Sequence, residues 1–194
     1  YNSVCMESNN LHKLGRPRSI DRDHVLDMAE KLVAEGGLAA LTMDAVAQAS
    51  GVTKGGIQYC FGNKDGLLKA MIGRWGDRFD AQVDKKKQGR MDALSHIAAH
   101  IRVTRESDAE DDSRFAAMMT SLIPNTEHLD ETRLWYRKQW EGLDVSTPEG
   151  RKARLAFIAN EGAFLLRSFN FFELTDEEWQ SIFNDIEALL PETD

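Results

Sequence analysis

Apolar residues recur along this chain at helical spacing and nowhere at the alternation of a half-buried strand, so the pattern predicts an all-α fold of about nine helices. Val25, Leu26, Ala29, Leu32 and Val33 share one face of a helix from about Asp21 to Glu35, which Gly36-Gly37 ends. Two short helices follow, with Met43, Val46 and Ala47 apolar on the first and Ile57 and Phe61 on the second. Asn63 and Lys64 open a much longer helix, striped by Leu67, Leu68, Met71, Ile72, Trp75, Phe79 and Val83 and closing near Lys85 to Lys87. Leu94, Ile97, Ala98 and Ile101 mark a helix from about Met91 to Ser107, and the acidic run Ser107 to Ser113 reads as a solvated loop. Phe115, Met118, Met119 and Leu122 belong to a helix stopped by Pro124. An aromatic-rich helix from about Asn125 to Leu143 carries Leu129, Trp135, Tyr136 and Trp140.

Thr147-Pro148 is an N-cap followed by proline at the first helical position, opening a helix to about Phe169. Leu155, Phe157, Ile158, Phe164 and Leu165 lie on more than one face of it, with small residues at Ala156, Ala159, Gly162 and Ala163. Such a helix has to be covered on two sides. Thr175 and Glu178 form a capping box for a last helix with Trp179, Ile182, Phe183, Ile186, Leu189 and Leu190, ended by Pro191.

The stretch LTMDAVAQASGVTKGGIQYCFGNKDGLL, Leu41 to Leu68, reads as a helix-turn-helix. Gly51 supplies a positive φ for the turn, Val52 plugs the angle between the helices, and Thr53 caps the second helix, which carries Lys54, Gln58 and Tyr59 outward. The run A-S-G-V-T-K-G-G-I-x-Y-x-F-x-x-K-x-x-L-L resembles the DNA-binding domain of the tetracycline-repressor (TetR) family of transcriptional regulators, over residues 20 to about 70. The resemblance implies DNA contacts at Thr42, Thr53, Lys54, Tyr59 and Lys64, the last also favoured by the N-terminal end of the long helix. It further implies a homodimer on a pseudo-palindromic double-stranded operator, acting as a repressor released by a small molecule. Gly55 and Gly56, poor helix formers in the first turn, suggest close approach of backbone to DNA. The sequence departs from the family pattern at Gln58, where an aromatic is usual, and at Cys60, where His or an aromatic is common. Gln58 can pair bidentately with adenine instead, and Cys60 packs as a small hydrophobe.

A net charge of −8 is unusual for a DNA-binding protein until it is divided along the chain. Residues 11–90 hold 14 Lys+Arg against 10 Asp+Glu, and residues 91–194 hold 10 against 21. The basic part is the part with the motif, as expected when one end approaches phosphates. Arg16 and Arg18, in the short basic arm Gly15 to Arg18, suit an A·T-rich minor groove. The expected division is a disordered tail over 1–14, a DNA-binding domain over 15–65 and a helical ligand-binding and dimerisation domain over 66–194. Tyr1, not Met, opens the chain, which leaves Met6 as a candidate initiator. Cys5 and Cys60 lack metal-ligand spacing and read as free thiols. With no apolar run approaching ~18 residues and no leader pattern, a cytoplasmic protein without membrane contact is expected.

In the second part, Phe115, Met118, Met119, Trp135, Tyr136, Trp140, Phe157 and Phe164 are more large apolar surface than a helical domain needs to close, and predict a ligand cavity. Glu127, Asp130, Glu131 and Glu161 would favour a cationic or hydrogen-bond-donating ligand wherever one of them points inward. Ala156, Ala159, Ala163, Trp179, Phe183 and Ile186 are the expected dimer face, the last two helices pairing with their symmetry mates as a four-helix bundle. Asp92, His96 and His100 stack at four-residue spacing, an incomplete metal set better read as hydrogen-bonded side chains, so no metal and no cofactor are expected. No catalytic pattern is present, and the alternative to a regulator is an all-helical sensor or interaction module that no longer binds DNA.

Overall fold

The helix ends in the computed structural model, which describes residues 20–122 and 126–191, are set by short polar side chains. Asp21, Thr42, Thr53, Asn63, Asp92, Thr147 and Thr175 each accept a backbone N–H of the first turn, a contact worth about 1 kcal/mol apiece. They open α1 (Arg22–Ala40), α2 (Met43–Ser50), α3 (Lys54–Phe61), α4 (Lys64–Lys87), α5 (Ala93–Arg105), α8 (Pro148–Ser168) and α9 (Asp176–Glu187). Between α5 and α8 lie α6 (Ala109–Leu122) and α7 (Thr126–Gln139), and the described residues contain no strand. Gly37, at φ 66° and ψ −175°, breaks α1 where Gly36-Gly37 was expected to end it, and a further turn runs to Ala40. No described helix is long and apolar enough to cross a membrane.

One core is closed by α1, α2, α3 and the first two turns of α4, around Val25, Ala29, Leu41, Val46, Ile57, Leu67, Leu68 and Met71. Arg74 and Arg78 of α4 lock α1 against it, Arg74 donating to Glu30 (3.0 Å) and Asp27 (2.8 Å) and Arg78 to Glu30 (2.7 Å). A second core joins Ile97 and Ile101 of α5, Ala153, Ala156, Phe157 and Ala163 of α8, and Trp179, Phe183 and Ile186 of α9. Phe79 and Val83, farther along α4, pack on Ala99 and Val103 of α5. At about 1.5 Å per residue the 24 residues of α4 span roughly 36 Å, so one rigid helix runs through both halves.

Two expectations are corrected. The acidic run after Ser107 is helix from Ala109 on, because Asp108 accepts from the backbone N–H groups of Glu110 (3.0 Å) and Asp111 (2.9 Å) and the acidic first turn favours the helix dipole. Asp112, in that turn, is buried rather than solvated, 2.6 Å from Arg167 of α8 and 2.6 Å from the Ser107 hydroxyl. The second correction concerns the expected dimer face. Ala156, Ala163, Trp179, Phe183 and Ile186 are buried inside the protomer and so already covered by their own chain, whereas Ala159 is half-buried at the edge of the same cluster. Leu155, Ile158, Leu165 and Leu166, on the opposite side of α8, are the exposed ones.

Candidate DNA-reading face and ligand cavity

The turn between α2 and α3 is built as its residues require. Gly51 ends α2 in the left-handed region at φ 66°, Thr53 caps α3, and the second helix leaves Tyr59 89% exposed with Gln58 and Lys54 exposed beside it. Lys54 lies 2.9 Å from Asp44 of α2, a surface pair worth at most about 1 kcal/mol and therefore easily exchanged for a phosphate. Thr42 caps α2 through the N–H of Ala45 (3.1 Å). Lys64 stands in the first turn of α4 with its ammonium 3.4 Å from the Leu38 carbonyl oxygen, which leaves other donor positions of the ammonium open. The two glycines divide. A Cβ on Gly55 would meet open space, as close approach of a ligand requires, whereas one on Gly56 would come within 2.8 Å of Val52 and 2.9 Å of Ile20. Packing of α3 by itself requires glycine at position 56. Cys60 is half-buried against the core, and its carbonyl oxygen accepts from Arg22, whose guanidinium lies 4.4 Å from the centre of the Phe61 ring. Arg16 and Arg18 lie outside the described residues.

A cavity of about 250 Å³ opens between α4, α5, α6, α7 and α8. Its mouth is marked by the exposed Gly73, Asp77 and Glu131, and its floor by the buried His100, Thr104 and Phe164. Of the aromatic and methionine residues expected there, Phe115, Met119, Trp135, Tyr136 and Phe164 line it. Met118 points the other way, into the core of α1 to α4, while Trp140 and Phe157 meet edge to face at 5.5 Å in the second core. Helical phase explains the split, since Met118 and Met119 are neighbours about 100° apart around α6. Trp75 stacks on Phe115 with centroids 3.9 Å apart and on Phe79 at 5.4 Å, so rings from α4 and α6 form one wall.

Three polar residues of the lining, His100, Tyr136 and Glu161, belong to a hydrogen-bonded chain that continues behind the wall to Gln139 and His96. Gln139 places its amide oxygen 2.7 Å from His96 and 3.2 Å from His100; His100 in turn faces Glu161 at 2.9 Å, and the Tyr136 hydroxyl donates to Glu161 at 2.9 Å. Burial, then the Glu161 charge and hydrogen bond, push the Tyr136 phenol well above its ordinary value, so it stays a neutral donor. Asp92 is not part of this chain. It caps α5 through the Ser95 N–H (2.8 Å) and hydroxyl (2.7 Å), and those bonds hold its carboxyl below the usual range. Of the acidic residues expected near the ligand, Glu131 and Glu161 line the cavity; Asp130 pairs with Arg133 on the surface, and the Glu127 side chain lies outside the description.

Two family profiles match the chain: "Bacterial regulatory proteins, tetR family" over residues 25–71, and "Tetracyclin repressor-like, C-terminal domain" over residues 95–191. The chain belongs to the TetR family. Among curated TetR-type relatives, the transcriptional repressor ComR of Escherichia coli (strain K12) is 38% identical over 68 residues, 35% of this chain and 32% of its own. The transcriptional regulator BetI of Burkholderia ambifaria (strain MC40-6) is 26% identical over 126 residues, 60% of this chain and 65% of its own. The chain thus spans about one third of the length of the first of these relatives and just under two thirds of the second. Solved structures share the fold: a transcriptional regulator of Rhodococcus sp. Rha1 superposes with TM-score 0.63 at 20% identity, over 87% of this chain and 94% of that one. The multidrug binding protein EbrR, complexed with malachite green, superposes with TM-score 0.61 at 18% identity, over 88% and 98%.

Within this TetR chain, sequence reasoning missed Gln139, Asp80 and Thr104 and placed Trp75 and Phe79 in the core stripe of the long helix. The four-residue spacing of Asp92, His96 and His100 pointed to hydrogen-bonded side chains on one face. That the partner is a glutamine 39 residues beyond His100 is information carried only by the packing of α7 on α5.

Proposed function

We propose that this TetR protein is a transcriptional repressor that binds a pseudo-palindromic duplex as a homodimer and is released by a small organic effector in the cavity. One observation supports this above all: α4 supplies Lys69 to Asp80 as a wall of the cavity, while its first turns are built into the core that carries α2 and α3. A ligand that favours one tilt of α4 moves the reading helix with it, provided that its affinities for the two tilts differ by a few kcal/mol. EbrR, of the same fold, is complexed with malachite green in one structure and imidazole in another, so small organic molecules have precedent in this architecture. The two functional parts meet within α4, near the boundary at 65–66, with the basic arm at Arg16 and Arg18 serving the minor groove.

The two-fold partner is proposed to cover the exposed stripe Leu155, Ile158, Leu165 and Leu166 of α8. At about 100° per residue these positions share one side with Ala159 and Gly162, small enough for close helix approach.

Contacts by Thr42, Thr53, Lys54, Gly55, Gln58, Tyr59 and Lys64 are tested with duplex from upstream of the protein's own gene, at several salt concentrations. Lys64→Ala is expected to weaken binding to all sequences alike and to reduce the salt slope by about one, whereas Gln58→Ala should relax preference at one base pair by ~1–3 kcal/mol. Unchanged affinity and slope for Lys64→Ala would remove that residue from the phosphate contacts.

A further inference from the structure

The charged lining of the cavity is lopsided: Asp77, Asp80, Glu131 and Glu161 face one lysine, Lys69. Lys69 is matched already, 2.8 Å from Glu131. Glu161 is surrounded by the Tyr136 hydroxyl, the Asn160 amide and the His100 ring, each at 2.9 Å. Asp80 is different. Its carboxylate, half-buried on α4, is met by the neutral Trp135 N–H, 3.1 Å from one oxygen and 3.3 Å from the other, and among the described residues no lysine, arginine or histidine pairs with it. Beside it stand aromatic rings: Phe79 and Trp135 are 6.0 Å apart between centroids, and Trp75 stacks on Phe79.

A carboxylate without a cationic partner, beside a cluster of aromatic side chains, is a site for positive charge. The form of that charge follows from what the walls lack. Glu161 is already met by three groups, Asp77 and Glu131 stand at the exposed mouth, and the surface beside Asp80 is aromatic, so a primary ammonium drawn to Asp80 would give up water for few new acceptors. An alkylated or delocalised cation is weakly hydrated, needs no acceptors and presents apolar surface to the rings. We infer that the cavity takes a hydrophobic organic cation without N–H donors, a quaternary ammonium or its equivalent, with Asp80 as counter-ion and Trp75, Phe79 and Trp135 as its walls. This inference rests on reading the cavity as the effector site.

The test uses the full chain and three probes of one shape: benzyltrimethylammonium, its neutral carbon isostere neopentylbenzene, and the anion phenylmethanesulfonate. Binding is followed by fluorescence, since Trp75 and Trp135 line the cavity. The cation is expected to bind the wild-type protein about tenfold or more tightly than the isostere. Asp80→Asn, with its fold checked by circular dichroism, should erase that preference, while Asp185→Asn on the exposed side of α9 should keep it. Equal binding of isostere and cation, no binding of any probe, or an unchanged preference in Asp80→Asn would overturn the inference. The comparison between probes is made on the wild type, so it stands even where the variant fails to fold. If the isostere or the anion binds instead and releases DNA, the effector reading stands and the cation assignment falls. If the cation binds as expected but DNA affinity does not change, the cation site stands and the effector reading falls.

Discussion

Ile158→Arg is expected to give a folded monomer that no longer binds its operator, whereas Phe183→Ala is expected to give a protein that barely folds. The two residues lie in consecutive helices and look alike in sequence. Ile158 is 51% exposed on the outer stripe of α8, so arginine there disturbs the protomer by no more than about 0.5 kcal/mol while placing charge opposite charge across a two-fold axis. Phe183 is fully buried between α5, α8 and α9, and its truncation should cost about 3–5 kcal/mol, a large share of a total stability of about 5–15. Sedimentation and urea denaturation separate the cases. A dimeric Ile158→Arg protein, or a stable monomeric Phe183→Ala protein, would put the interface back where the sequence alone suggested it.

Arg167→Met should be almost as damaging, and its damage should depend on pH. Arg167 contacts Asp112 at 2.6 Å and the Ser107 hydroxyl at 2.8 Å, and its guanidinium covers the Trp179 ring with 3.4 Å to the centroid. Methionine keeps much of the stem but leaves the Asp112 carboxylate buried and without its partner, a loss of about 3–5 kcal/mol. Burial already pushes the Asp112 carboxyl above its ordinary value, against the pull of Ser107 and Arg167. A raised folded-state value means that the stability linked to this group is complete below its unfolded-state value and is lost as pH rises through the folded one. Without Arg167 that rise is larger. The deficit of Arg167→Met relative to wild type is therefore expected to be largest at neutral pH and to shrink on acidification. Urea titrations near pH 7.5 and pH 5 measure it; a deficit under about 1 kcal/mol, or one equal at both pH values, would contradict the assignment.

The helices were legible because their signals are local. Caps such as Thr53, Thr147 and Thr175 act within one turn, and the 3.6-residue stripes of α1, α4 and α9 record burial directly. The turn at Gly51 was equally clear, since its geometry is set by neighbours in sequence. What could not be read was the direction of a two-sided surface. The composition of α8 says that both faces must be covered, but only the arrangement of α5 and α9 shows that Ala156, Phe157 and Ala163 face inward and Leu155, Ile158 and Leu165 face out. Asp112 was misread for the same reason: in an acidic run a solvated carboxylate and a buried one look identical until Arg167, 55 residues later, is placed beside it. The cavity was half legible, its rings announced by composition and its counter-charge, Asp80, hidden on a helix whose apolar stripe looked complete.

Repression by this protein requires that α3, carried by α4, reads duplex DNA. Footprinting of the wild-type protein on the DNA flanking its own gene, after selection from fragmented duplex, tests this most directly. The expected result is a protected segment with two related half-sites in successive major grooves, about 34–36 Å apart or somewhat more on a distorted duplex. Protection that disappears with the hydrophobic organic cation would join the two halves of the mechanism. A protein that protects no sequence above non-specific background even at ~50 mM salt, where phosphate contacts are strongest, would contradict it.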